Sequence, residues 1–253
     1  MATIAENIQT LKSIKSDIKN AITDKGGNVG NDFKTYAQAI TNLPSGGGNE
    51  DLVNLIERDV TSFTIPDSVT KIGDYTFSYC TSLTDVTIGN GVTQIGNYAF
   101  YFCISLTDVT IPDSVTQIGH DTFSNCKSLT SVIIPDSVTR IESNFFQDCA
   151  NLTDITIGNA VKSIGNYVFA GCSKLPSVTL PSTVNYIGSG IFNSCKSLTS
   201  VTIKATTPPT LSSSIFDNTN NCPIYVPAES VDAYKTATNW SAYADRIQAI
   251  PTV

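Results

Sequence analysis

Histidine is almost missing from this chain of 253 residues, and its scarcity is the first limit on the available chemistry. The one histidine, His120, lies in the stretch Gly119-His120-Asp121. A catalytic histidine works beside a nucleophile and a group that orients its ring, and no such pair stands out here. We therefore predict that His120 is a surface residue, that there are no catalytic residues, and that the protein is not an enzyme.

Basic residues and long apolar runs are scarce as well. Charged side chains make up 15% of the chain, the net charge is −7, and residues 50–203 carry seven basic against fourteen acidic side chains. A nucleic-acid partner needs a basic stripe, so we expect no nucleic acid. No apolar run approaches the roughly 18 residues of a membrane helix, and the N-terminus lacks the basic start and apolar stretch of a secretory signal. We therefore expect neither membrane insertion nor export by such a signal.

What the chain does contain is a 23-residue repeat. Phe, Cys, Leu, Ile and Val each recur six times at this step; the phenylalanines are Phe77, Phe100, Phe123, Phe146, Phe169 and Phe192. One unit reads L-x-x-V-x-I-P-x-x-V-x-x-I-G-x-x-x-F-x-x-C-x-x. A single unit cannot bury its apolar side, whereas stacked units share a continuous core. The sequence therefore predicts a mainly β solenoid over residues 60–203, with six units and a partial one.

Two features of the unit predict its local structure. Val86 and Ile88 alternate with Thr87, which is typical of a strand with one buried face. A second short extended stretch follows in each unit, such as residues 92–96. It ends in a glycine, where a missing Cβ permits a positive φ or close backbone approach. Glu142 takes the place of that glycine in one unit, so we expect a distorted coil there.

Seven cysteines are present, but none forms the close C-x₂-C pair of a metal site. Six of them follow the repeat and form the cysteine column: Cys80, Cys103, Cys126, Cys149, Cys172 and Cys195. We predict a buried ladder of small apolar side chains, with neighbouring disulfides or a redox or metal role as alternatives. Cys222 lies outside the step and is predicted to be free and exposed. No metal and no other cofactor is expected.

The N-terminal residues 1–44 predict a short helical module that mediates docking or self-association. Helices are expected over residues 3–23 and 32–43, followed by a Gly-rich linker and entry segment at residues 45–59. The apolar stripe of the first helix falls on heptad a and d positions and consists of Ile4, Leu11, Ile14 and Ile18. Packing of these helices on the first coil is the alternative.

The C-terminal residues 204–253 predict a helical cap. Pro208 and Pro209 cannot donate to a ladder, so the regular repeat is expected to end before them. A helix is expected over residues 228–236. Unpaired sheet edges invite aggregation, and we expect the edge of the last coil to be covered by Trp240, Tyr243 and Ile247.

Two surfaces are candidate binding sites. The first, the aromatic cluster, lies around the Phe–Cys turn of the first two units and consists of Tyr75, Tyr79, Tyr98, Tyr101 and Phe102. Such a patch on a polar solenoid indicates a partner contact, unless the N-terminal helices cover it.

The second surface, the strand-face strip, lies on the exposed side of the strands and consists of Asp85, Asp108, Asp154, Thr87, Thr110 and Thr156. A solvated β-branched face is the plainest interpretation. The alternatives are an acidic strip for a cationic partner or Ca²⁺, and a flat threonine array for ice or a polysaccharide.

The repeat resembles the BspA-type leucine-rich repeats of gut and oral bacteria and their phages. The resemblance covers roughly residues 60–226 and implies a leucine-rich-repeat solenoid used for adhesion or protein binding, with no catalytic residues. A second resemblance rests on residues 18–27 and 33–40, which are similar to a short module near the termini of phage tail and baseplate proteins.

Together these patterns favour a non-enzymatic binding protein. Our main hypothesis is a phage virion component, such as a tail fibre, receptor-binding or decoration protein, present in the host cytoplasm before lysis. Its expected partner is a protein or a cell-surface glycan receptor, and residues 1–44 would attach it to the virion or to copies of itself. The alternative is a BspA-like adhesion protein at the bacterial cell surface.

Overall fold

The computed structural model describes residues 60–252. The predicted N-terminal helical module, its apolar stripe and the linker at residues 45–59 lie outside the described residues.

Seven coils each contribute one longer and one shorter strand to two separate walls, and an eighth longer strand follows them. The longer strands are β1 (Ser62–Ile65), β3 (Asp85–Ile88), β5 (Asp108–Thr110), β7 (Ser131–Ile134), β9 (Asp154–Ile157), β11 (Ser177–Leu180), β13 (Ser200–Ile203) and β15 (Ile224–Val226). The shorter strands are β2 (Lys71–Ile72), β4 (Gln94–Ile95), β6 (Gln117–Ile118), β8 (Arg140–Ile141), β10 (Ser163–Ile164), β12 (Tyr186–Ile187) and β14 (Thr210–Leu211). Neighbouring strands within a wall run parallel, and equivalent residues of successive repeats pair, as Val86 does with Val109. The predicted mainly β solenoid is confirmed.

The repeated apolar positions form the core. The phenylalanine rings stack from coil to coil; the rings of Phe77 and Phe100 lie 5.0 Å apart with an angle of 3° between their planes. The equivalent Leu, Ile, Val and Cys positions are also buried, apart from the partly buried Val69 of the first coil. Val86 and Ile88 face this core and Thr87 faces solvent, as the alternation predicts.

The wall of longer strands is interrupted once. Strands β1, β3, β5, β7 and β9 form one sheet, and β11, β13 and β15 belong to another. In other coils a threonine just before the strand bridges to the preceding coil: Thr107 donates to the carbonyl of Thr84 from its backbone N–H (3.1 Å) and its hydroxyl (3.0 Å). Pro176 occupies this position before β11, and proline has neither donor. The break therefore lies where the donors are missing.

The wall of shorter strands is interrupted at a different coil. Strand β6 belongs to a sheet with β2 and β4, whereas β8 belongs to a sheet with β10, β12 and β14. Elsewhere the repeated glycine lies against the preceding coil; a Cβ on Gly119 would be 2.5 Å from the backbone nitrogen of Asn97. Glu142 replaces the glycine at β8, so its Cβ prevents the same approach. The expected distortion at Glu142 is present.

A second irregular residue lies in the coil before Glu142. The side-chain oxygens of Asp74 and Asn97 each accept a hydrogen bond from the next coil, at 2.8 Å from Asn97 and 3.1 Å from His120. His120 itself occupies this acceptor position in the coil that precedes Glu142. The two exceptions to the repeat therefore lie on opposite sides of one coil boundary.

The coils continue past residue 203. Strand β14 begins directly after Pro208 and Pro209 and pairs with β12, so the prolines do not end the ladder. The cap follows, with a 3-10 turn at Ala228–Ser230, helix α1 at Val231–Thr236, a 3-10 segment at Ser241–Arg246 and strand β16 at Ile247–Ala249, which pairs with β15.

The expected cap residues are in place. Trp240 is fully buried and donates to the carbonyl of Pro209 at 2.7 Å. Ile247 is buried in β16, and Tyr243 packs partly buried against the core. Since β16 pairs with β15, it becomes the edge strand at this end of the described chain.

We predict that Phe123→Ala lowers the free energy of unfolding by about 3–5 kcal/mol, because it leaves a cavity in the ring stack. Phe123 has no exposed surface, and its ring stacks on those of Phe100 and Phe146. The control Thr110→Ala removes an exposed side chain of β5 and should change stability by less than about 1 kcal/mol. Equal losses in chemical denaturation would contradict the assigned facing.

We predict that Pro176→Thr stabilises the protein by about 1 kcal/mol, since it supplies two donors to the preceding coil. Greater freedom of the unfolded chain offsets part of this gain. Urea denaturation measures the stability, and amide hydrogen exchange should slow in β11. The control Pro176→Ala restores the N–H alone and should give the smaller gain; a loss of stability in both variants would refute this explanation of the break.

Candidate binding surfaces

The third side of each coil is built on backbone with positive φ. Two positions per coil adopt it, and the first series is Tyr75, Tyr98, Asp121, Asn144, Tyr167 and Gly190. The second series is Tyr79, Phe102, Asn125, Asp148, Gly171 and Ser194. These residues donate their backbone N–H groups to the next coil, as Tyr79 N donates to Tyr101 O at 2.7 Å. The repeat therefore requires a left-handed residue twice in every turn.

Aromatic residues are unexpected at such positions. Glycine, asparagine and aspartate tolerate positive φ, whereas a bulky side chain there is an outlier. A residue held in a sparsely populated region costs on the order of 1–3 kcal/mol. The later coils mostly use Asp, Asn or Gly, and the first two coils use Tyr or Phe at all four positions. Local folding does not explain these aromatic side chains.

The structure brings all five residues of the aromatic cluster together. The rings of Tyr75 and Tyr98 stack at 4.8 Å with 6° between their planes. The Tyr79 ring lies 5.2 Å from Phe102 and 5.4 Å from Tyr101, and Tyr101 lies 5.5 Å from Tyr98. Tyr75 is 50% exposed and Tyr79 is 44% exposed. The cluster is a continuous aromatic surface over the first two coils of the described chain.

Polar groups border the cluster on the side of the third coil. Nδ1 of His120 lies 3.0 Å from a carboxylate oxygen of the buried Asp121, which also accepts a hydrogen bond from Asn144 at 3.2 Å. The His120 ring is 4.8 Å from Tyr98 in an edge-on arrangement, and its side chain is 45% exposed. The predicted surface position of His120 is confirmed.

The charge of Asp121 also affects the nearby tyrosine. This negative charge, followed by burial, raises the pKa of Tyr98 above its usual value. For Tyr101, burial is the main cause of a raised pKa, and the neighbouring Tyr79 adds to it. The phenol groups of Tyr98 and Tyr101 therefore stay neutral at physiological pH.

One hydroxyl in this region lacks a partner. Among the buried side-chain nitrogen and oxygen atoms of residues 60–252, Ser78 Oγ alone makes no hydrogen bond. An unpaired buried polar atom is destabilising by roughly 1–3 kcal/mol. Ser78 occupies the repeat position of Tyr101 in the next coil, and no sequence pattern pointed to it.

The strand-face strip is also assembled as the repeat predicts. Asp85 pairs with Asp108, and Ser131 separates Asp108 from Asp154. The threonine row contains Thr87, Thr110 and Thr156, and Ile133 interrupts it with 64% of its surface exposed. All six strip residues are exposed. No group of three His, Cys, Asp or Glu side chains within residues 60–252 is placed to hold a metal ion.

The cysteine column is buried, as predicted. Each thiol from the second coil onward donates to the carbonyl of a phenylalanine in the preceding coil, as Cys126 Sγ does to Phe100 O at 3.2 Å. Burial, the largest cause, raises the pKa of the Cys195 thiol to about 12 and that of Cys126 well above its usual value. These thiols are neutral hydrogen-bond donors inside the core.

The prediction for Cys222 is half right. It is free, but it is buried rather than exposed. Its departure from the 23-residue step reflects extra residues in the last coil, and the cap covers it. Arg246 donates from Nε to the Cys222 carbonyl at 2.8 Å, and its guanidinium lies 4.1 Å from the centre of the Phe216 ring.

We predict that the cysteine column makes stability fall with rising alkaline pH. The folded-state pKa of Cys126 lies above its unfolded value of about 8.5, so the stabilisation is complete below that pH and decreases above it by about 1.4 kcal/mol per pH unit. The control Cys126→Ser keeps a donor that does not ionise. The stability difference between the two proteins should therefore shift in favour of the serine variant from pH 8.5 to 10 in urea denaturation. A pH-independent difference would contradict the assignment.

The coils with their ladders of buried Phe, Leu and Cys define a leucine-rich-repeat solenoid. Residues 56–175 and 93–223 match the BspA type leucine rich repeat region in six copies. This match covers more than half of the chain, so the chain belongs to the BspA-type leucine-rich-repeat family.

Two solved structures are similar to this chain. A leucine-rich repeat protein from Eubacterium ventriosum is 33% identical with a TM-score of 0.57, over 63% of this chain and 43% of that one. A leucine-rich repeat protein from Bacteroides ovatus is 23% identical with a TM-score of 0.52, over 76% of this chain and 54% of that one, which shows the fold alone. The match thus spans about half the length of these proteins. No curated protein matches the sequence.

No helix in residues 60–252 is long and apolar enough to span a lipid bilayer.

Proposed function

We propose that the chain is a non-enzymatic binding module that contacts its partner through the aromatic cluster, as part of a bacterial cell-surface adhesion protein. The observation that carries this proposal is the placement of Tyr75, Tyr79, Tyr98 and Phe102 on left-handed backbone in the first two coils. Strained residues persist where the surrounding structure holds them, and they gather at functional sites.

The exposure of the cluster supports the same function. Tyrosine supplies a large contact area at low cost in side-chain entropy, and it is enriched among residues that dominate binding energy. Tyr75 and Tyr79 expose about half of their surface, while the Tyr75 ring stacks on Tyr98 and the Tyr79 ring contacts Tyr101 and Phe102 at an angle. A rigid aromatic surface of this kind is prepared for a partner.

Membership of the BspA-type family and the 33% sequence identity with a bacterial leucine-rich repeat protein favour the cell surface as the location. The phage reading has its own support in the resemblance of residues 18–27 and 33–40 to tail and baseplate modules, and these residues lie outside the described part of the chain. Detection of this protein in purified phage particles by mass spectrometry would favour the virion hypothesis over the cell-surface hypothesis.

A cell-binding experiment tests the role of the cluster. We predict that labelled full-length protein binds cultured epithelial or bacterial cells, and that Tyr79→Asn with Phe102→Asn weakens this binding by at least about thirtyfold, as expected for two dominant interface residues. The same variant should be more stable by about 1–2 kcal/mol in urea, because asparagine tolerates positive φ.

The control is Tyr167→Asn, which changes a 44% exposed tyrosine with φ of 54° in a later coil. It should leave binding unchanged. Undiminished binding by the double variant, or no binding of the unmodified protein to either kind of cell, would refute the proposal.

A further inference from the structure

We infer that the partner seated on the aromatic cluster is an arginine-rich, positively charged protein segment. This inference rests on the proposed function and assigns a chemical class to its partner.

The charge around the cluster supports a cationic partner. Residues 60–135, which contain the cluster, carry six acidic and two basic side chains, whereas residues 136–252 carry eight and seven. The excess of negative charge is therefore concentrated in the part of the described chain that includes the coils with the aromatic rings and the coil that follows them. Complementary potentials raise association rates and discriminate against partners of the wrong sign.

Two carboxylates lie at the cluster itself. Asp74 is exposed directly beside Tyr75, and the buried Asp121 acts on Tyr98 strongly enough to be the largest influence on its ionisation. A cation placed on these rings would gain from both the π-faces and the negative charge. A neutral sugar would gain nothing from the carboxylates as charges.

The chain already places its own cations over three of its aromatic rings, those of Phe102, Phe216 and Tyr243. Arg246 lies over Phe216, the last ring of the phenylalanine stack, at 4.1 Å. Lys127 lies over Phe102 at the edge of the cluster, 5.8 Å from the ring centre. Within residues 60–252, no lysine or arginine side chain lies over the ring of Tyr75 or Tyr79. These half-exposed rings are therefore open to a cation from another molecule.

Arginine fits this surface better than lysine. The guanidinium group is planar, weakly hydrated and able to stack on a ring while it donates to a carboxylate, whereas the ammonium group of lysine is compact and strongly hydrated. Cation–π contacts lie within about 6 Å of a ring centre. The packing of Arg246 on Phe216, with Nε donating to a carbonyl, shows the same arrangement inside this chain.

The test uses full-length protein and four defined probes. These are a synthetic peptide of alternating arginine and glycine, its lysine and glutamate counterparts, and dextran as a neutral glycan. Titration calorimetry should show binding of the arginine peptide, about threefold to fivefold weaker binding of the lysine peptide, and none of the glutamate peptide or dextran. Added salt should lower the affinity of the arginine peptide for the protein.

The matched variants localise the site. The double variant Tyr75→Asn with Tyr79→Asn should bind the arginine peptide at least about tenfold more weakly. The control Tyr167→Asn should leave the affinity for this peptide unchanged. Absence of arginine-peptide binding, equal binding of the glutamate peptide, or no effect of the Tyr75 and Tyr79 substitutions overturns the cationic assignment.

The failure of this inference is distinguishable from failure of the proposed function. Dextran binding that the Tyr75 and Tyr79 substitutions remove would replace the cationic partner with a glycan and leave the binding function standing. Unchanged cell binding by the same double variant would overturn the function of the cluster as well.

Discussion

The constraint on which this structure depends is that every coil must hydrogen-bond to the next one on three sides at strand spacing, about 4.8 Å. Parallel strands meet this need on two walls, and residues of positive φ meet it on the third. Because each coil rests only on its neighbours, a position in the repeat becomes a column with one role. A departure from the column then has a local consequence at one coil boundary, as Pro176 and Glu142 show.

Columns whose role is apolar packing could be predicted from the sequence. Phenylalanine and cysteine recur there without exception in six units, and the structure buries both. The exposed strand-face strip followed from the alternation within each strand. The glycine column was recognised, and it serves close approach: Gly119 leaves no room for a Cβ against Asn97.

The columns of positive φ could not be predicted from the sequence, because two kinds of residue occupy them. Asn144 and Asn125 carry the signal of positive φ, but Tyr75 and Tyr79 hide it at the start of the array, since aromatic side chains rarely adopt that conformation. The wrong prediction that Cys222 is exposed has a related cause. The spacing between Cys222 and the preceding cysteine departs from the 23-residue step. Arg246 of the cap nevertheless covers Cys222 and donates a hydrogen bond to its carbonyl, and no pattern in the repeat predicts this contact.

Core and display positions are therefore separable in this fold. The inward columns fix stability through ring stacks and buried thiol donors, whereas the third wall requires only a backbone conformation and leaves the side chain free. Asparagine or glycine meets that requirement at least cost, so Tyr79 and Phe102 add surface at the expense of local strain. Backbone hydrogen bonds to the next coil hold the strained residues in place, as from Tyr79 N to Tyr101 O and from Phe102 N to Ser124 O. A solenoid of this kind can change its exposed side chains coil by coil while its core remains the same.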